Sequence, residues 1–256
     1  MSGAENIIVP KDLYKEQYSP EFVGRWDELI DWRRRAEAEN NFFQNILRDH
    51  GAETVLDIAC GTGFHAVTLK ADGFDVTAAD GAPNMVVQAR ENAERFGIDD
   101  LRVVEAEWTR LSESFGGERF DAVICLGNAF THLFDESDRI QSLGEVYRLL
   151  NNDGIAIIDQ RNYDAILDNG FSSKHQSYYL GETVDVKPEE LTEDVVKMRY
   201  EYSDGEVHFL TIFPIRQDYL TDLLLSTGFR SVERYGDFEA GYDRYDPDFV
   251  IQLARK

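Results

Sequence analysis

Hydrophobic and polar positions divide the chain into three stretches. Between residues 19 and 50 apolar side chains recur at helical spacing: Phe22, Trp26, Leu29 and Ile30, then Phe42, Phe43, Ile46 and Leu47. This predicts a helical N-terminal segment, ended by His50-Gly51. Short apolar runs then alternate with helical stretches. The runs at 54–59 (TVLDIA), 75–79 (DVTAA), 101–105, 120–126 (FDAVICL) and 154–159 (GIAIID) predict five strands. Helices are expected at 64–71, 83–96 and 136–150, the second with Pro83 in its first turn. The run at 120–126 is apolar on both faces, as a central parallel strand is. This alternation predicts an α/β fold with a doubly wound, mostly parallel sheet and right-handed crossovers.

After Arg161 the period changes. The segments 177–186 (SYYLGETVDV), 195–203 (VVKMRYEYS) and 206–214 (EVHFLTIFP) read as strands, and a Ser203-Asp204-Gly205 turn joins the last two. They predict an antiparallel insertion that serves as a lid, carrying Tyr178, Tyr179, Tyr200 and Tyr202. A helix at 217–226 capped by Gly228 and strands at 231–235 and 249–253 return to the sheet. The expected division is a helical cap (1–50), an α/β core (51–165), a lid (166–214) and a C-terminal part of the core (215–256).

The strand at 54–59 runs into Gly61-Thr62-Gly63, and Asp80 follows at the end of the second strand. Glycines there let the backbone turn sharply and approach a ligand. Asp80 is placed to accept hydrogen bonds from two ribose hydroxyls. Gly61, Gly63 and Ala66 satisfy a dinucleotide pattern. Asp57, Gly61 and Gly63 satisfy an S-adenosylmethionine pattern, which fits better, because a carboxylate beside a pyrophosphate is repulsive and beside a cationic, phosphate-free cofactor is not. Glu107-Trp108, after the third strand, would flank an adenine. The fourth strand ends in 125–133 (CLGNAFTHL), which points Asn128 toward a reacting centre. Its amide oxygen and nearby carbonyls could hold an amine in line with an S–CH3 bond. Arg161, after the fifth strand, suggests bidentate capture of a carboxylate; a salt bridge to Asp159 or Asp164 is the alternative. His132 is assigned to cofactor contact through its loop in preference to a role as base.

Composition removes other classes. The 256 residues are 43% hydrophobic, ample for one large core. The net charge is −23, spread evenly along the chain. Such a surface repels phosphate backbones and anionic lipid, so no nucleic-acid and no membrane partner is expected. No apolar run approaches the roughly 20 residues of a membrane span, and the N-terminus has no secretory h-region. Two cysteines, Cys60 and Cys125, make neither a disulfide framework nor a zinc site, so a reduced, cytoplasmic protein without metal is expected.

The stretches VLDIACGTGFHAVTL, DAVICLGNAFTHLFDE, IIDQRNYDAILDNGFSSKH, YGDF and DPDF, in that order, resemble the glycine/sarcosine N-methyltransferase family. They are most similar to the enzymes of salt-tolerant microbes that make betaine. The resemblance runs from about Tyr18 to the C-terminus. It implies S-adenosylmethionine as cofactor, S-adenosylhomocysteine as product, and direct in-line methyl transfer to glycine, sarcosine or both. It implies that Asp80 clamps the ribose, that Ala59 and Leu126 offer backbone contacts, and that Glu107 and Trp108 flank the adenine. Arg35 would grip the methionine carboxylate, and Tyr18 and Trp26 would belong to a segment closing over the cofactor. Asn128, Arg161 and Tyr200 match the acceptor positions, the first two also serving catalysis. Leu29 stands near a family tyrosine. The short N-terminal arm suggests a monomer or small homo-oligomer. A methyltransferase of another small amine, an NAD-dependent oxidoreductase and a non-catalytic cofactor-binding regulator remain the alternatives.

Overall fold

The computed structural model describes residues 9–172 and 183–256. Five short helices come first: α1 (Leu13–Gln17), α2 (Pro20–Gly24), α3 (Trp26–Ile30), α4 (Trp32–Glu39) and α5 (Phe42–Asp49). Then follow β1 (Thr54–Asp57), α6 (Phe64–Ala71), β2 (Asp75–Asp80), α7 (Pro83–Arg95) and β3 (Arg102–Glu105). Next come α8 (Leu111–Phe115), β4 (Phe120–Cys125), α9 (Glu136–Leu149), β5 (Leu150–Arg161) and α10 (Tyr163–Asn169). The strands of the expected lid are β6 (Val184–Leu191), β7 (Val196–Tyr202) and β8 (Val207–Ile212). The chain closes with α11 (Gln217–Thr227), β9 (Ser231–Gly236) and β10 (Phe249–Arg255).

Seven strands form one sheet in the order β3-β2-β1-β4-β5-β10-β9. The first five are parallel to their neighbours, while β10 runs antiparallel to both β5 and β9. Side-chain alternation sorts the sheet's residues into two cores. Leu56, Val123, Cys125 and Ile158 pack with Leu143 and Val146 of α9 and Leu220 and Leu224 of α11. Val55, Ala122, Ile124 and Ile157 pack on the other face with Phe43, Leu47, Leu69 and Val86. Both faces are covered, which is why β4 is apolar from Ala122 to Cys125.

The N-terminal segment differs from its sequence reading. It is broken at Arg25, at Asp31 (φ 38°), and at Asn40 and Asn41 (φ 44° and 59°). Asp and Asn are the non-glycine residues that enter this left-handed region most readily. Asp31 also caps α4, accepting from the Arg34 N–H at 3.2 Å. The breaks let the segment bend round the sheet's end instead of projecting as a rod.

The segment expected to be a lid forms a three-stranded antiparallel sheet, β6-β7-β8. Val196, Met198, Tyr200 and Tyr202 alternate inward along β7 and pack on Phe22, Leu29, Tyr163 and Ile166. Among the described residues its first strand is Val184–Leu191, and positions 177–182 of the expected strand, Tyr178 and Tyr179 among them, fall outside the described residues. Cys60 and Cys125 are buried free thiols. Among the described residues no helix is long and apolar enough to cross a membrane.

Candidate active site

The site lies at the carboxyl ends of β1, β2, β4 and β5, where open α/β sheets place ligands. The turn after β1 is set by two glycines with positive φ, Gly61 (54°) and Gly63 (99°). The Asp80 carboxylate braces this turn. Its Oδ2 accepts from the Gly61 N–H at 2.9 Å and its Oδ1 from the Ala82 N–H at 2.8 Å. Burial pushes the Asp80 carboxyl up to about 6, against the lowering pull of those N–H donors. Asp57 sits behind the turn, accepting from the Ala59 N–H at 3.1 Å, with burial pushing it up to about 7. It does not line the cavity. The expectation that its charge faces the cofactor is therefore corrected: its contact is with the turn's own backbone.

A cavity opens above these strand ends. Ala59, Gly61, Asp80, Leu126, Asn128 and Arg161 line its base, and Trp108 and His132 its side. Tyr18, Trp26 and Arg35 come from the N-terminal segment and Tyr200 from the lid. Two expected residues stand apart. Gly63 does not line the cavity; its left-handed backbone starts α6, and a Cβ there would touch Ala89 at 3.5 Å. Glu107 is also outside the lining, its carboxylate taken up by Lys15 and by the Tyr14 hydroxyl at 3.1 Å.

The N-terminal segment is tied down by polar contacts. Tyr18 Oη lies 3.0 Å from His132 Nε2, and Asn84 Nδ2 donates to the Tyr18 carbonyl at 2.8 Å. Asp27 accepts from the Thr62 hydroxyl at 2.6 Å, Asn92 Nδ2 at 2.9 Å and Trp32 Nε1 at 3.0 Å. A carboxylate thus sits beside the glycine turn, where a dinucleotide fold needs room for a pyrophosphate. Gln17 exchanges two hydrogen bonds with Thr211 of β8, joining this segment to the lid.

Arg35 is buried, and its Nε donates to Glu39 Oε1 at 2.7 Å. The same oxygen lies 2.9 Å from His65 Nε2. Burial alone would raise the Glu39 carboxyl, but His65 and Arg35 outweigh it and hold it below the usual range. His132 is driven by burial down to about 4, so it is a neutral imidazole at physiological pH. That agrees with a place beside a cation and makes it a weak base for an ammonium.

At the other end, Asn128 adopts φ 63° and its N–H donates to Asp159 Oδ1 at 2.8 Å. Its own Oδ1 accepts from the Arg161 backbone N–H at 2.9 Å and meets the Tyr163 hydroxyl at 3.1 Å. The oxygen expected to hold an amine is therefore committed to the protein, and what Asn128 has left is an N–H donor. Arg161 is buried, its guanidinium carbon 5.1 Å from the Phe249 ring centre. Asp164, one candidate partner for it, is held by Arg216, Arg244 and the Gln217 N–H.

Residues 55–154 match the family model of a methyltransferase domain. The chain is 49% identical to glycine/sarcosine N-methyltransferase of Aphanothece halophytica, over 98% of this chain and 95% of that one. The chain belongs to the glycine/sarcosine N-methyltransferase family. It is also 47% identical, over 96% of its length, to glycine/sarcosine/dimethylglycine N-methyltransferase of Actinopolyspora halophila, of which it spans only 43%. In fold it is similar to an S-adenosylmethionine-dependent methyltransferase from Clostridium acetobutylicum (TM-score 0.71, 16% identity, 92% of this chain and 97% of that one).

Sequence reasoning missed several cavity residues. Tyr14 lies on a one-turn helix too short for a periodic signal, and its ring stacks on Trp108 with centres 6.4 Å apart. Thr62 and Phe249 also line the cavity, as do Leu210 and Ile212 of the lid. The last two follow from strand alternation once the lid's inward face is known.

Proposed function

We propose that this chain is an S-adenosylmethionine-dependent N-methyltransferase of glycine and sarcosine, working in the cytoplasm on the route to dimethylglycine and betaine. One observation carries the reading: two buried guanidinium groups, Arg35 of α4 and Arg161 of β5, line a single cavity. Two carboxylates, one on the cofactor and one on the acceptor, need such partners. The cavity fits the cofactor: Asp80 offers a carboxylate for ribose hydroxyls, Trp108 and Tyr14 offer ring faces for adenine, and Asp27 disfavours a pyrophosphate.

When bound, S-adenosylmethionine supplies an electrophilic methyl group on a sulfonium. Arg35, held by Glu39, grips the cofactor's carboxylate, and Gly61, Ala59 and Leu126 present backbone to it. Tyr18 and Trp26 close the cavity and exclude water, with His132 kept neutral near the positive charge. Arg161 and the Asn128 N–H hold the acceptor's carboxylate, so the amine is fixed by its other end. Tyr200, buried beside them, forms the lid-side wall. The acceptor's ammonium must lose its proton before its lone pair can react, and a nearby cation favours that loss. Rate enhancement then comes from orientation and preorganised charge.

The test is methyl transfer from S-adenosylmethionine to glycine, sarcosine and dimethylglycine, with product analysis. Sarcosine and dimethylglycine are the expected products; transfer to neither glycine nor sarcosine would overturn the reading.

Asp80 gives a pH signature. Ribose hydroxyls donate, so they bind the ionised carboxylate. With its carboxyl at about 6, cofactor affinity should be flat above pH 7 and fall by up to about tenfold per pH unit below 6. Calorimetry at pH 7.5 and pH 5 reads this directly, and equal affinities would contradict it.

The acidic surface has a place in this reading. A betaine-making enzyme works among concentrated salt and osmolyte, and salt at about 1 M shortens the Debye length to roughly 3 Å. Self-repulsion of a chain carrying −23 should then weaken, so Tm is expected to hold or rise with KCl up to that concentration. A steady fall in Tm and activity from dilute buffer upward would count against it.

A further inference from the structure

One buried hydroxyl beside the acceptor end has no role in the reading above. Tyr163, the first residue of α10, is fully buried and does not line the cavity. Its Oη lies 2.9 Å from Asn128 Nδ2 and 3.1 Å from Asn128 Oδ1.

An asparagine amide can sit in two orientations, and they offer a ligand opposite characters, a donor or an acceptor. One neighbour selects between them here, and a second holds the amide in place. The Arg161 backbone N–H can only donate, so the amide atom 2.9 Å from it is Oδ1. The Tyr163 hydroxyl can accept from Nδ2 and donate to Oδ1, so it braces the amide along its edge. The backbone under the amide is fixed as well. Asp159 accepts the Asn128 N–H at 2.8 Å, Thr131 Oγ1 donates to the Asn128 carbonyl at 2.5 Å, and the residue is held at φ 63°. Asn128 Nδ2 keeps one further N–H, on a residue that lines the cavity.

We infer that Tyr163 is a positioning residue that holds the Asn128 amide in the orientation chosen by the Arg161 N–H, so that an N–H, not a carbonyl oxygen, meets the acceptor's carboxylate beside Arg161. The inference rests on the glycine and sarcosine reading. It makes Tyr163 part of the acceptor-selecting apparatus although it touches no ligand. It also requires that Tyr163 act only through Asn128.

A double-mutant cycle tests this. Tyr163→Phe keeps the ring and removes the brace. It should raise the acceptor KM about tenfold while the cofactor Kd, by calorimetry, stays within about twofold. In an Asn128→Ala background the same substitution should change the acceptor KM by less than about twofold. Asn128→Asp, which keeps an oxygen in place and has no N–H, should raise the acceptor KM by at least about a hundredfold. An unchanged KM in Tyr163→Phe, an equal further loss in the double variant, or a normal KM in Asn128→Asp would each overturn the inference. Those results are read only on a wild-type protein that methylates glycine or sarcosine; inactivity of the wild type overturns the substrate reading and this inference with it.

Discussion

Replacing Arg161 with alanine is expected to lower kcat/KM for glycine by about a thousandfold and to leave the cofactor Kd within about threefold. The reasoning is electrostatic. Arg161 is buried at the end of β5, so a carboxylate that meets it must shed its water. With the guanidinium present, two parallel charge-assisted hydrogen bonds replace that hydration. With alanine present, the carboxylate is desolvated without a partner, a loss of about 3–5 kcal/mol in the bound states. That energy corresponds to roughly two to three and a half decades in kcat/KM. Arg161→Lys should fall between, at about thirtyfold, because an ammonium keeps the charge and loses the planar fork. The cofactor should be indifferent, since its carboxylate is assigned to Arg35 on α4, a different element with its own partner in Glu39. Steady-state kinetics with glycine and sarcosine, paired with calorimetry for the cofactor, checks both halves. Near-normal KM and kcat in Arg161→Ala would sink the carboxylate role.

The parts of this site that were legible in the sequence are those set by local pattern. The run 120–126 announces a central strand because both of its faces are buried, and the inward residues of β7 announce a one-faced sheet. Gly61 and Asp80 are recognisable because a sharp turn and a carboxylate at the next strand's end have few other uses. Contacts between distant residues were not legible. Tyr18 meets His132 across 114 positions and Gln17 meets Thr211 across 194, and neither pairing leaves a periodic trace. The breaks in the N-terminal segment hang on single Asp and Asn residues whose left-handed backbone is permitted, not required, by sequence. Asn128 shows the same limit at the chemical level. Its position at a strand end was readable, but the direction of its amide depends on the Arg161 N–H and its hold on Tyr163, which lie on the next strand and helix. Gly63 and Glu107 illustrate the converse: a motif position next to the site can serve the fold, one by starting a helix, the other by anchoring Tyr14 and Lys15.

Replacing Asp80 with alanine should separate binding from stability more sharply than any other substitution in the cavity. The carboxylate is half-buried and raised to about 6, so in the folded protein at pH 7.5 it is ionised against the preference of its surroundings. The folded value lies above the unfolded one near 3.8; stability tied to this group is therefore greatest below pH 4 and is lost as pH rises through 6. Removing the group at neutral pH lifts that penalty. It also strips the Gly61 and Ala82 N–H groups of their acceptor, at about 1–3 kcal/mol each. The two changes oppose each other, so the Tm of the free protein should move by only a few degrees. Cofactor binding has no such compensation. The variant loses the acceptor for the ribose hydroxyls and the brace on the glycine turn together, and Kd should rise by at least about a hundredfold. Asp80→Asn should do little better, because its amide nitrogen must face either the ribose hydroxyls or one of the two N–H donors. Thermal unfolding and calorimetry on the same preparations give both numbers. Unchanged cofactor affinity would refute the ribose assignment. A collapse of Tm with affinity intact in the folded fraction would make Asp80 a structural support for the turn alone.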